Sequence, residues 1–290
     1  MHRYKSWIIL AAAGALLGTA PTLGQPRPPE RMSAAQASYE QGALKVKNKD
    51  YRASIENFTQ AVRLNPNYAL AYVGRGIARA NLGDKQGAID DYTRAIRIDP
   101  EDAQAHYNRG FLRYGLGKRE AAVEDYTRAI RLKPDYALAY NNRGFARFRL
   151  GKYREAIEDL EQAIGLDSSY AVAYNNRALV RNALKEYQKA IEDFDRTLGL
   201  DPEYAIAYVG RGVAHYGLGN RQAAVEDYTR AIRLNPKDAQ AHYNRGIARS
   251  GLGERESAVE DLQKAAELLR QQGDKASSQK ALELVRKLEG

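Results

Sequence analysis

The chain has 290 residues, 44% of them apolar and 28% charged, a balance that folds in water and argues against a disordered chain. It has no cysteine, which excludes disulfides, thiolate metal sites, cysteine nucleophiles and an acylated N-terminal cysteine. Lys and Arg number 45 against 36 Asp and Glu, a formal charge of +9 that brings a polyanionic partner into consideration.

The N-terminus opens with Met-His-Arg-Tyr-Lys-Ser and then runs apolar from Trp7 to Leu17. That run is too short to cross about 30 Å of hydrocarbon as a helix. A basic start, a short apolar stretch and small residues after it mark residues 1–24 as a secretory signal peptide. Thr22 and Gly24 suit the cleavage positions, whereas Pro21 disfavours cleavage after Ala20. Cleavage predicts an exported protein, periplasmic or secreted; retention predicts one anchored by its N-terminus, the only membrane contact expected. Residues 25–34 hold three prolines and mixed charge, which predicts an extended tether.

From Ala35 onward a period of 34 residues organises the chain. Pro66, Pro100, Pro134, Pro202 and Pro236 share one place in it, and seven units follow: 35–68, 69–102, 103–136, 137–170, 171–204, 205–238 and 239–270. Gly76, Gly110, Gly144, Gly212 and Gly246 stand eighth in their units, with Ala178 the exception. Alanine is twentieth throughout, from Ala88 to Ala258, and a large residue is twenty-fourth: Tyr92, Tyr126, Leu160, Phe194, Tyr228 and Leu262. Apolar and small residues recur at three- and four-residue steps, the helical period. Leu116-Gly117-Lys118 and Leu218-Gly219-Asn220 mark a turn between two helices, and Asn-Pro or Asp-Pro ends the second. Residues 271–290 restart a helix after Gln272-Gly273-Asp274, with Ala281, Leu282, Leu284, Val285 and Leu288 as an apolar face that caps the last unit. Residues 72–110 also match 208–246 at about two-thirds of positions.

This small/large pattern and its spacing resemble the tetratricopeptide (TPR) repeat family over about 80% of the chain. The resemblance implies an all-α fold, a right-handed α-solenoid of seven helix-turn-helix repeats with a C-terminal capping helix. It also implies a non-enzymatic scaffold that binds a peptide or partner-protein segment in a concave groove, lined by the fifth, sixth, ninth and twelfth places of each first helix. Those places carry Tyr39, Tyr107, Tyr114, Tyr216 and Tyr243, with Phe111, Phe145 and Phe148. Such aromatics suit binding anchors. The sixth place carries Asn108, Asn142, Asn176 and Asn244, with Asn141 and Asn175 beside two of them. An amide can pair with a peptide backbone without reading its sequence. The series is similar to the asparagine ladder of O-linked N-acetylglucosamine transferases, interrupted here at Gly74 and Gly210.

Six units carry Arg seventh, namely Arg75, Arg109, Arg143, Arg177, Arg211 and Arg245. The eleventh place repeats the charge in Arg79, Arg113, Arg147, Arg181 and Arg249, with His215 in the sixth unit. Buried guanidinium groups need partners. The twenty-third place supplies Asp91, Asp125, Asp159, Asp193, Asp227 and Asp261, so an Arg/Asp network inside each repeat is expected. The first unit lacks both sides, with Gln41, Lys45 and Asn57.

No catalytic constellation stands out. His106 and His242 fall at equivalent packing positions four repeats apart, which disfavours a shared metal, and acidic pairs such as Glu124-Asp125 repeat as architecture. Neither an enzyme nor a metal or other cofactor is expected. The alternatives are a polyanion or polysaccharide binder, or an accessory subunit of an envelope assembly or export complex. Positive charge is dispersed among the units, so no nucleic acid partner is expected.

Overall fold

The computed structural model describes residues 29–290, and every regular element among them is an α-helix. The expected signal, residues 1–24, and the start of the tether lie outside the described residues. The described residues divide into two compact units, separated between Leu150 and Gly151. The first contains α1 (Pro29–Lys47), α2 (Tyr51–Leu64), α3 (Ala69–Asn81), α4 (Lys85–Ile98), α5 (Ala103–Gly115), α6 (Arg119–Leu132) and α7 (Ala137–Arg149). The second contains α8 (Tyr153–Leu166), α9 (Ala171–Ala183), α10 (Tyr187–Leu200), α11 (Ala205–Gly217), α12 (Arg221–Leu234), α13 (Ala239–Ser250), α14 (Arg255–Gln271) and α15 (Lys275–Glu289). Within each unit consecutive helices pack on one another, and first helices of adjacent repeats also touch, as α1 on α3 and α9 on α11. Among the described residues no helix is long and apolar enough to cross a membrane.

One boundary departs from expectation. Residues 29–34 form the opening turns of α1 instead of an extended tether. Proline is well placed at a helix start, where its missing N–H would have no partner in any case. Ala35, Ser38 and Tyr39 then bury a three-and-four-residue stripe that holds the helix down.

Local chemistry sets the other boundaries. Asp50, Asp84, Asp102 and Asp238 accept hydrogen bonds from backbone N–H groups three residues on, closing the first turns of their helices. Asn65, Asp99, Asp167, Asp201 and Asn235 accept from the N–H two residues on, folding the chain around the proline or serine that follows. The turn between the helices of a repeat needs a positive φ. Glycine supplies it at Gly117 (79°) and Gly219 (84°), while Lys49 and Lys185 adopt it at 60° and 62°.

The small/large code is steric. Ala88, Ala122, Ala190, Ala224 and Ala258 are fully buried, as are Phe58, Phe194 and Leu160 beside them. A methyl group on Gly76 would stand 2.8 Å from the Tyr92 ring, and one on Gly212 would stand 2.6 Å from Tyr228. In those repeats the two helices can therefore approach only because the side chain is absent. In α15, Ala281 and Val285 are buried and Ser278 donates to the Ala266 carbonyl at 2.8 Å, seating the cap on α14. Leu282, assigned to the capping face by its periodicity, is exposed, because it points away from the Ala281–Val285 line.

Charge is buried at the twenty-third place. Asp91, Asp125, Asp159, Asp193 and Asp261 are each only 3% exposed. Asp125 accepts from Arg109 Nη2 at 2.7 Å and from Arg113 Nη1 at 2.9 Å; Asp193 accepts from Arg177 at 2.6 Å and Arg181 at 2.8 Å. The same pattern holds Asp91 and Asp261. Where the second arginine is His215, its Nε2 stands 3.9 Å from Asp227, which Arg211 binds at 2.6 Å. In the first repeat a neutral bond replaces the ion pair: Asn57 donates to Gln41 at 3.1 Å.

The seventh-place arginine also reaches back one repeat. Arg75, Arg109, Arg143 and Arg245 donate to Thr59, Thr93, Thr127 and Thr229 at 3.1–3.3 Å, and Arg211 donates to Asp195 at 2.6 Å. His106 and His242 fill a related role, with Nε2 3.2 and 3.3 Å from the carbonyls of Pro100 and Pro236 and Nδ1 3.9 and 3.4 Å from Asp125 and Asp261.

Burial by itself pushes the Asp125 and Asp261 carboxyls up, but the imidazole of His106 or His242, the hydrogen bonds from Arg109 or Arg245 and the nearby positive charges hold them below the ordinary value of 3.8. A carboxyl depressed in the folded state contributes stability above its unfolded value, and that contribution is lost as pH falls from there through the folded value. Asp125→Ala should cost up to about 3–5 kcal/mol by stranding two half-buried guanidinium groups. Thermal melts should show the wild type losing stability as pH drops below 3.8, and the variant losing less over the same range.

Candidate functional site

The first helices α5 and α7 carry most of the residues expected to line a groove, and burial separates them into two groups. Tyr39 and Tyr107 are buried instead of exposed. Tyr39 packs on the rings of Phe58 and Tyr68, with centroids 5.7 and 5.1 Å away. Tyr107 lies 5.8 Å from Tyr126 and 4.9 Å from Tyr136. The fifth place therefore faces the repeat's own second helix and the loop after it. Burial raises the Tyr107 hydroxyl far above its ordinary value, a shift only partly opposed by the hydrogen bond from Asn142.

The amides are likewise drawn inward. Asn108, Asn141, Asn175 and Asn176 are buried, while Asn142 and Asn244 are half-buried. Asn142 Nδ2 donates to the Tyr107 hydroxyl at 2.9 Å, and Asn141 donates to Asn142 Oδ1 at 3.0 Å. Tyr136 donates to Gln104, which donates to Asn108, both at 2.9 Å. In the second unit Asn175 donates to Asn176 at 3.5 Å and Gln240 donates to Asn244 at 2.7 Å. Leaving a buried amide unpaired is costly, and these bonds satisfy most of the amide atoms, with Asn108 Nδ2 and Asn175 Oδ1 left buried without a partner among the described residues. The ladder anticipated for a ligand backbone is committed largely to the repeat itself.

The interruptions of that ladder have a packing cause. Glycine replaces asparagine at the sixth place only after a repeat whose twenty-fourth residue is phenylalanine, as Phe58 before Gly74 and Phe194 before Gly210. A methyl group on Gly74 would lie 2.5 Å from Phe58 Cζ, and one on Gly210 would collide with Phe194 Cζ. Gly210→Ala should therefore destabilise the protein by about 1–3 kcal/mol. Adding Phe194→Leu, the residue type found before Asn176, should recover part of that loss; denaturant titration of the four-member cycle gives the coupling.

What remains accessible is an aromatic cluster in the first unit. Tyr114, Phe145 and Phe148 are half-buried, with ring centroids 5.9 Å apart for Tyr114 and Phe145 and 6.1 Å for Phe145 and Phe148. Phe111 and Asn142 are half-buried on the same two helices. Burial raises the Tyr114 hydroxyl, while the charges of Arg149 and Arg119 and a hydrogen bond from Arg119 draw it back. Those two arginines were not legible as site residues, since neither falls at an expected groove place. In the second unit Tyr216 is 40% exposed and Tyr243 is half-buried. Among the described residues no cluster of His, Asp and Glu could hold a metal.

Family profiles described as tetratricopeptide repeat match residues 39–103, 137–170, 171–204 and 239–271, and one described as TPR repeat matches 112–151 and 218–253. No sequence match to a curated protein was found. Among solved structures, MamA is 30% identical, with a TM-score of 0.53 over 59% of this chain and 94% of MamA. YrrB, described as a TPR protein with an unusual peptide-binding site, is 22% identical, with a TM-score of 0.55 over 63% of this chain and 95% of its own. A tetratricopeptide repeat protein from Parabacteroides merdae is 22% identical, with a TM-score of 0.68 over 88% of this chain and 99% of its own. The last two likenesses concern the fold alone.

Proposed function

The chain belongs to the tetratricopeptide repeat family, and on that premise we propose that it is a non-enzymatic scaffold that holds an extended or helical segment of a partner protein. The observation that carries this reading is the Tyr114–Phe145–Phe148 cluster. Phe145 and Phe148 lie outside the buried core of the first unit, although each keeps part of a large apolar ring in water. Rigid aromatics of this kind lose little entropy on binding and bury much area, which makes them effective anchors. Arg119 and Arg149 beside Tyr114 favour a segment that carries acidic residues near its apolar ones. A peptide-binding site described for YrrB is consistent with the same use of the repeat, at 22% identity.

Export belongs to the same proposal and rests on residues 1–24: the scaffold acts in the periplasm or outside the cell, free or held by its N-terminus. N-terminal sequencing of the native protein should read a start after Gly24; a start at Met1 in soluble material overturns it.

Removing the rings tests the binding surface. Phe145→Ala with Phe148→Ala, two side chains already partly in water, should leave the fold cooperative. Proteins copurified from the envelope fraction and identified by mass spectrometry should fall about tenfold in yield, a change of about 1.4 kcal/mol. Unchanged recovery overturns the aromatic surface, and a steep loss of wild-type binding with salt favours the polyanion reading instead.

A further inference from the structure

The Tyr114/Arg119 pair recurs in the second unit with its cover removed. Tyr216 and Arg221 occupy the same twelfth and seventeenth places three repeats later. In the first copy the following repeat supplies Phe145, Phe148 and Arg149 at its ninth, twelfth and thirteenth places; in the second those places hold Ile247, Ser250 and Gly251. Two phenyl rings and a guanidinium give way to a butyl group, a hydroxymethyl group and a hydrogen. A half-open cavity of about 320 Å³ stands there, lined on its other side by Leu284, Lys287 and Leu288 of the cap helix α15.

The lining is chemically divided. Ile247, Leu284 and Leu288 form an apolar wall, while Arg221 and Lys287 bring two positive charges and Tyr216 and Ser250 bring hydroxyls. No carboxylate lines the cavity, and among the described residues neither Arg221 nor Lys287 takes part in an ion pair. Gly251 is part of the construction: a methyl group there would stand 2.6 Å from Arg221 Nε, so the arginine lies across the bare backbone. Both cations reach solvent at the rim, so a ligand there meets two exposed positive charges beside an apolar wall.

We propose that this cavity binds a small monocarboxylate with an apolar body. The planar guanidinium matches a carboxylate by two parallel hydrogen bonds, and Lys287 adds a second charge at the same mouth. About 320 Å³ gives room for an apolar body of roughly six to eight carbons along the wall with the head group at the mouth. The cap helix thereby has a second role, as one wall of a ligand site. The site lies within residues 216–288 and stands or falls independently of the aromatic surface of the first unit.

The test is isothermal titration of the full chain with octanoate, using butanoate, hexanoate and octanol as comparators. Octanoate should bind saturably, with affinity rising about fourfold per added methylene, the equivalent of about 0.8 kcal/mol each. Octanol should bind about tenfold more weakly or worse. Arg221→Gln with Lys287→Gln, both free of ion pairs, should weaken octanoate about tenfold, leave octanol unchanged and keep the melting temperature. Gly251→Ala, which displaces Arg221 without touching the wall, should weaken octanoate in the same direction. Absence of saturable octanoate binding, equal affinity for octanol, or wild-type affinity in the double variant would overturn the proposal.

Discussion

A carboxylate with almost no solvent, gripped in four of the repeats by two guanidinium groups, is the constraint on which the array depends. Taking Asp125 or Asp193 out of water is expensive, and only a close, multiply bonded partner offsets the cost. Arg109 and Arg113, or Arg177 and Arg181, provide it from one turn of the first helix to the facing turn of the second. The crossing of the two helices is thereby tied to a single register, because a slip of one residue would leave three charges unpaired. The seventh-place arginine carries the same discipline backwards to Thr59, Thr93 or Thr229 of the preceding repeat. Ion pairs that other proteins place on their surface serve here inside and between repeats.

Packing and binding draw on the same positions of the first helix, and packing takes most of them. The fifth and sixth places, which the repeat pattern offers to a ligand, are pressed against the second helix and spent on internal hydrogen bonds such as Asn142 to Tyr107. The ninth and twelfth places of α7 and α13 lie further out, and there the residue type differs. Phe145 and Phe148 fill them with rings in the first unit; Ile247 and Ser250 leave them open in the second. One Tyr/Arg pair, repeated by the period, thus frames an aromatic surface in one place and a cationic cavity in another.

Function in such an array is written in departures from the period, since a residue that recurs in every unit has an architectural cause. The histidines illustrate this. His106 and His242 sit at equivalent places and touch equivalent groups, the carbonyls of Pro100 and Pro236 and the carboxylates of Asp125 and Asp261. The absence of asparagine at Gly74 and Gly210 is a departure too, yet it follows from the phenylalanine packed behind each glycine.

The 34-residue period, the helix pairs, the steric code of glycine, alanine and aromatic, and the Arg/Asp partnership were all determined by the sequence alone. Each is a local or single-repeat relation, and repetition multiplies its signal. Which amides and tyrosines stay in contact with water was decided only by the tertiary structure, because burial of Tyr107 or Asn176 depends on side chains contributed by neighbouring helices and not on their own spacing. The same reason hid the cavity at Arg221 and Lys287: its two charges are 66 positions apart in the chain and meet only because α15 folds back onto the last repeat.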